Sequence, residues 1–163
     1  MAILVSDSSV LIDLERGGLL EAAFGCGFTM VVPDLLYTNE IADSIGPYLT
    51  KLGLGVTELT PKEVEIAQEV LNSRDRLSPE DCFALACATR PDSVLLVGDA
   101  GLREEASARQ IKCYGLLWLL DQMLESGKVS AATLCDGLTK ISQHQRSRLP
   151  KSEVDRRIKG WCP

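Results

Sequence analysis

At 163 residues, 45% of them hydrophobic, the chain is long enough to bury one sizeable core and short enough to argue for a single domain. It has no run of roughly 18 uninterrupted apolar residues, which excludes a membrane-spanning helix, and Asp7 interrupts the first apolar run, which argues against a signal peptide. The expectation is a cytoplasmic protein with no membrane partner.

The formal charge of −6 is unevenly divided. Residues 1–139 carry 10 Lys and Arg against 21 Asp and Glu, whereas residues 140–163 carry 7 against 2. The acidic body argues against nonspecific duplex binding. In the basic tail, Arg146, Arg148, Lys151, Arg156, Arg157 and Lys159 have two readings, phosphate contacts or the solvated face of a last helix.

The first predicted element is a short apolar strand beginning at Ile3 and stopping just before Asp7. The chain turns at Ser8 and Ser9, and Val10, Leu11 and Leu14 then follow at helical spacing. Gly17-Gly18 breaks that helix, and Leu19–Phe24 reads as a second short one. Phe28–Val32 is a β-branched, apolar run and reads as a strand. Pro33-Asp34 suits a helix start, with Leu35, Leu36 and Ile41 on its apolar side, ending near Asp43. Residues Ile45–Gly55 read as a loop and Val56–Leu59 as a short edge strand.

Thr60-Pro61-Lys62-Glu63 combines an N-cap, proline in the first turn and a glutamate to close a capping box, which predicts a helix from Pro61 to about Asn72. Arg74-Asp75-Arg76 is a polar break. Ser78-Pro79-Glu80-Asp81 repeats the start signal, opening a helix of small and apolar residues that suits close packing on a sheet. Val94–Val97 is a second fully apolar run, followed by Gly98 and Asp99. Runs of this kind indicate strands buried on both faces, hence a parallel sheet between helices. A helix over Gly101–Arg109, a last strand over Ile111–Tyr114, helices over Leu116–Glu125 and Ala131–Ile141, and a short one over Ser152–Lys159 complete the reading. Trp118 lies in a dense apolar run and reads as core or subunit interface; the lone His144 reads as a surface residue.

The cysteines, Cys26, Cys82, Cys87, Cys113, Cys135 and Cys162, are scattered without a Cys-x-x-Cys pair, which argues against structural zinc. Free thiols are the simplest expectation.

Two of the predicted strands run into an aspartate, Asp7 and Asp99, and two predicted helices carry an acid on or near their apolar side, Glu40 and Asp81. Side by side in a parallel sheet, the strands would bring Asp7 and Asp99 to its carboxyl edge, where ligands bind in open α/β sheets. Like charges gathered there raise one another's pKa unless a cation neutralises them. Acids without histidine or thiolate suit Mg²⁺ or Mn²⁺, and such a site supports phosphodiester hydrolysis. Taken singly, Asp7, Asp81 and Asp99 also suit helix capping.

The order Asp7 in VSDSSVLIDL, Glu40 in LLYTNEIAD, Asp81 in LSPEDCFALACA and Asp99 in LLVGDAGLREEA resembles that of PIN domains over roughly residues 2–125. The resemblance implies a three-layer α/β/α sandwich around a parallel sheet of four to five strands. The body would span residues 1–126, and residues 127–163 would form a helical extension of the same domain with a basic tail. It further implies a metal-dependent endoribonuclease whose Asp7, Glu40, Asp81 and Asp99 hold Mg²⁺ or Mn²⁺. Ser8, Ser9 and Arg103 would contact the RNA substrate. Many such proteins are toxins of toxin-antitoxin pairs, so a small antitoxin and a homodimer are the implied partners. Val97 stands where many members have Thr or Ser, and Gly98 where some have a second acid. These departures motivate the alternative, a non-catalytic PIN-like domain that binds RNA or protein. A phosphatase using Asp7 as nucleophile is weaker, because Ser9 occupies the position where that chemistry needs a second aspartate.

Overall fold

The first apolar run becomes the centre of the sheet. In the computed structural model, which describes residues 2–74 and 76–163, strand β1 (Ile3–Ser6) has neighbours on both edges, and its Leu4 and Val5 are 2% and 0% exposed. It pairs in parallel with β2 (Thr29–Pro33) and with β4 (Ser93–Leu96); β3 (Gly55–Thr57) pairs outside β2, and β5 (Cys113–Tyr114) outside β4. The order β3-β2-β1-β4-β5 therefore reverses direction between β1 and β4. That reversal opens a crevice at the carboxyl ends of these two strands.

Helices flank this five-stranded parallel sheet, giving the three-layer α/β/α sandwich. One group comprises α3 (Asp34–Leu36), α5 (Pro61–Ser73), α6 (Pro79–Cys87) and α7 (Ala100–Ala108), with α6 packed against β1 and β2. Its small residues Ala84, Ala86 and Cys87 are all fully buried, which allows the close approach. The other group comprises α1 (Ser8–Arg16), α8 (Leu116–Glu125), α9 (Ala131–Gln143) and α10 (Lys151–Trp161), while α2 (Leu20–Phe24) links α1 to α4 (Gly46–Leu52). Helix α9 docks on the α1–α2 corner through Gly137, where an added Cβ would fall 2.6 Å from the Leu19 side chain. A larger residue there would push α9 off its seat.

The start signals form as expected at two helices. Thr60 Oγ1 accepts the Glu63 N–H (3.2 Å) and Glu63 returns a bond to the Thr60 N–H (2.9 Å), a complete capping box. Ser78 Oγ accepts the Asp81 N–H (3.1 Å).

Three readings need correction. The stretch expected to be a loop, Ile45–Gly55, contains α4: Pro47 in its first turn is compatible with a helix and Leu49 is fully buried, so packing overrides the glycine content. The helix expected to run to Asp43 has α-geometry only over Asp34–Leu36 and then widens into a π-helical turn, Tyr37–Ile41, with the Ala42 N–H donating to the Tyr37 carbonyl (2.8 Å). The thiols are not all free. Cys135 on α9 and Cys162 beyond α10 form a disulfide, because α10 folds back along α9; Cys26, Cys82, Cys87 and Cys113 are free. Asp75 of the expected polar break lies outside the described residues. Among the described residues no helix is long and apolar enough to cross a membrane.

Candidate active site

Asp7 follows β1 directly, and its main-chain N–H donates to the Leu96 carbonyl (3.0 Å), which ties it to the end of β4. Its side chain is 4% exposed. One carboxylate oxygen, Oδ1, accepts from the Val10 N–H (3.0 Å), capping α1, and from the Ser9 hydroxyl (2.8 Å). The other, Oδ2, accepts the Gly98 N–H (2.9 Å). Asp7 is thus a helix cap and a crevice residue at once. Even so, burial outweighs these three donors, and Asp81 adds like charge, so the Asp7 carboxyl is pushed up to about 6.

Gly98 explains one of the two departures in the sequence. A Cβ at this position would lie 2.5 Å from Ser9 Oγ, so a side chain here and the Ser9–Asp7 bond compete for the same space. Glycine lets the Ser9 hydroxyl and the Gly98 N–H grip Asp7 together. Val97 is fully buried, its N–H donating to the Tyr114 carbonyl (2.9 Å); it serves the core and the β4–β5 junction.

The other acids reach the same region from separate elements. Asp99 is the exposed N-cap of α7 and accepts the Leu102 N–H (2.8 Å). Asp81, in the first turn of α6, is half-buried, and its carboxyl is pushed up by burial, with Ser78 pulling it down and Asp99 raising it further. The α6 cap bond uses the Asp81 main-chain N–H, while the side chain, itself bonded by Ser78, also faces the cleft. Glu40, exposed on the π-helical turn, accepts a short hydrogen bond from the Ser8 hydroxyl. Burial raises its carboxyl too, the Ser8 bond lowers it, and Asp81 and Glu80 raise it. The neighbouring Asn39 donates to Glu80 (3.0 Å), fastening the π-helical turn to α6. Such turns recur at functional sites because the widened ladder re-aims a side chain.

Asp7, Asp81 and Asp99 line one cleft of about 430 Å³, together with Ser8, Ser9 and Gly98. Glu40 stands outside that lining, joined to it through Ser8. Both serines are engaged by acids within the protein, Ser8 by Glu40 and Ser9 by Asp7. Arg103 faces the adjoining cleft, where its guanidinium donates to the Val97 carbonyl (3.4 Å). Among the described residues, no three His, Cys, Asp or Glu side chains are drawn into a ready-made metal cage. The donor set is nevertheless one of hard oxygens on an open cleft, which fits an ion that keeps several waters and takes one or two carboxylates.

Two of the cleft's charged residues, Asp13 and Arg16, were not singled out in the sequence. Asp13 and Arg16 lie on α1 four and seven residues after Ser9, hence on the same helical face, and form an ion pair (3.4 Å). Burial raises the Asp13 carboxyl, while Arg16 and His144 lower it. Arg146 and Arg148 complete the cleft from the loop between α9 and α10. Arg156 and Arg157 of the same basic tail instead pair with Glu153 (3.0 Å) and Asp121 (2.7 Å).

A family model described as a PIN domain matches residues 3–161, a span that takes in the C-terminal helices as well as the sheet. Comparison with curated proteins and with solved structures gave no significant match.

Proposed function

This chain belongs to the PIN domain family, whose members are generally nucleases, and from that premise we propose that it is a metal-dependent endoribonuclease acting in the cytoplasm. The observation that carries the reading is the convergence of Asp7, Asp81 and Asp99 on one cleft at the point where strand order reverses. In this reading Asp7, Asp81 and Asp99 hold Mg²⁺ or Mn²⁺ directly or through water, and Glu40 acts through water from the rim. When bound, such an ion lowers the pKa of a ligated water and offsets the charge that develops on the leaving oxygen.

The chain's own residues do the positioning. Ser9, Val10 and Gly98 fix the Asp7 carboxylate with three donors, so it meets a cation without reorganising. Ser8 aims Glu40 toward the cleft rim. The proposal extends to a toxin restrained by a small antitoxin and to a homodimer, read respectively by co-purification with the product of a neighbouring reading frame and by light scattering.

The test is cleavage of single-stranded RNA with Mn²⁺, with Mg²⁺ and with EDTA. Cleavage that needs the ion and disappears in Asp7→Asn supports the reading; cleavage that persists in EDTA overturns it. The second reading, a non-catalytic docking domain, is motivated by Val97 and Gly98 beside Asp99 and is separated by the same assay, since it expects no cleavage with either ion.

A further inference from the structure

The acidic cleft has a basic wall. Arg146 and Arg148 come from the seven-residue connection between α9 and α10 and line the same cleft as Asp7, Asp81 and Asp99. Among the described residues, neither guanidinium makes an ion pair with those acids or with any other. Their charges are therefore not spent within the protein. The loop that carries them is ordered by its own bonds: His144 Nδ1 accepts the Arg146 N–H (3.1 Å), and the Ser147 N–H donates to the His144 carbonyl (2.9 Å).

The cleft continues past Gly98 into a second one, which shares Asp13, Gly98, Arg148 and Leu149 with the first and adds Arg103 and Trp118. Trp118 is half-buried and lies parallel to Tyr114, ring centroids 4.3 Å apart and planes 10° from parallel, and Tyr114 is 38% exposed. A planar aromatic beside arginines is the arrangement that takes an unpaired base and its phosphates. The sequence assigns Trp118 to the core or a subunit interface; the structure packs it partly against the core and sets it also on the cleft wall.

We propose that the α9–α10 loop is the phosphate grip of this cleft, with Arg146 and Arg148 holding a single-stranded RNA whose path runs from the acids past Gly98 to a base-stacking position at Trp118. This rests on the nuclease reading for its substrate but not for its test. Arginine suits the role because its fork bonds two phosphate oxygens at once. A strand rather than a duplex fits, because a stacking platform takes a base only when it is unpaired.

The test is the binding of a fluorescein-labelled single-stranded RNA to the full chain in EDTA, followed by anisotropy between 50 and 200 mM salt. Wild type is expected to bind. The double variant Arg146→Ala/Arg148→Ala is expected to bind at least about tenfold more weakly, with a salt slope reduced by about 1.4, as two lost phosphate contacts require. Arg156→Ala, which removes one equal charge from an outward ion pair, is expected to match wild type. In a Trp161→Phe background, which leaves Trp118 as the sole tryptophan, binding is expected to quench the remaining fluorescence. Because that readout needs no change at Trp118, it does not depend on a Trp118 variant folding.

Unchanged affinity and slope in the double variant would overturn the proposal even if metal-dependent cleavage were intact. Equal loss in Arg156→Ala would also overturn it, since net charge alone would then explain binding. No single-strand binding tighter than about 100 µM, or capture of an acidic polyglutamate peptide in preference to RNA, would overturn it in favour of an acidic protein segment on this wall. Retained binding without any cleavage would leave the grip standing and count against the nuclease reading alone.

Discussion

Two sets of acids in this molecule behave in opposite ways. Glu63 lies in a fork with Arg90, whose Nε and Nη2 donate to its two oxygens at 2.8 and 2.9 Å. Glu105 is held between Arg74 (3.0 Å) and Arg109 (3.0 Å). Both carboxyls are lowered, chiefly by those arginine hydrogen bonds, against the cost of burial. Asp7 is similarly shielded from solvent, but its carboxyl lies much deeper in the protein, so the cost of burial outweighs its neutral N–H and O–H donors and, with a smaller push from Asp81, raises it. Asp81 and Glu40 follow Asp7. Depth and company act together: at Glu63 and Glu105 arginine hydrogen bonds outweigh the cost of burial, and at Asp7, Asp81 and Glu40 burial outweighs neutral donors. Where arginine bonds the acid directly the pair stabilises the fold; Asp7, Asp81 and Asp99 of the cleft, which no arginine among the described residues bonds directly, are the ones the proposed metal would engage.

The largest effect that would sharpen this contrast is on activity. Asp81→Asn is expected to lower metal-dependent RNA cleavage by roughly 100-fold or more. Because Ser78 also bonds the Asp81 carboxyl, a stability loss of about 1 kcal/mol at most should accompany it. A helix-capping role alone predicts that small loss of stability with activity intact. Glu63→Gln should show the complementary pattern. It leaves Arg90 without its carboxylate at a site where the pair is 30% and 11% exposed, and about 2 kcal/mol of stability should be lost in urea unfolding. Cleavage should be unchanged in this variant.

Gly98→Ala probes the support of Asp7 rather than its charge. The added methyl displaces the Ser9 hydroxyl from Asp7 Oδ1, and roughly tenfold lower activity is expected with a native circular dichroism spectrum.

The smallest effect is in pH. Glu63 titrates lower in the folded than in the unfolded chain, so its contribution is complete above its ordinary value of 4.5 and is lost as pH falls through the lowered folded value. Asp7 runs the other way. Its folded value of about 6 exceeds its ordinary 3.8, so without a divalent ion its contribution becomes more favourable as pH falls between those two values. Thermal unfolding of wild type, Glu63→Gln and Asp7→Asn in EDTA should show these opposite slopes. Parallel curves would remove the distinction.

Much of the sheet was legible because each central strand is an apolar run stopped by a polar residue. Leu4-Val5 before Asp7 and Val94–Val97 before Gly98-Asp99 announce both the strands and the edge at which they end. The capping signals at Thr60 and Ser78 marked α5 and α6 for the same reason, since they are local chemistry. Helix α4 was hidden because its support is tertiary, through the buried Leu49, and its flanking glycines read as loop. Asp13 and Arg16 carried a usable signal in their helical spacing from Ser9. Arg146 and Arg148 were legible as basic-tail candidates for phosphate contacts, but their place beside Asp7 depends on α9 seating Gly137 against Leu19, a contact no local pattern contains. The Cys135–Cys162 pairing, 27 residues apart, depends likewise on the return of α10 along α9.

The central claim is that the acids at the sheet edge lack a cation the fold does not provide. Isothermal titration of Mn²⁺ into wild type and Asp7→Asn at pH 7.5 tests it most directly. Saturable binding to wild type that is abolished in Asp7→Asn is the expected result. No binding to wild type, or equal binding to both, would contradict the account.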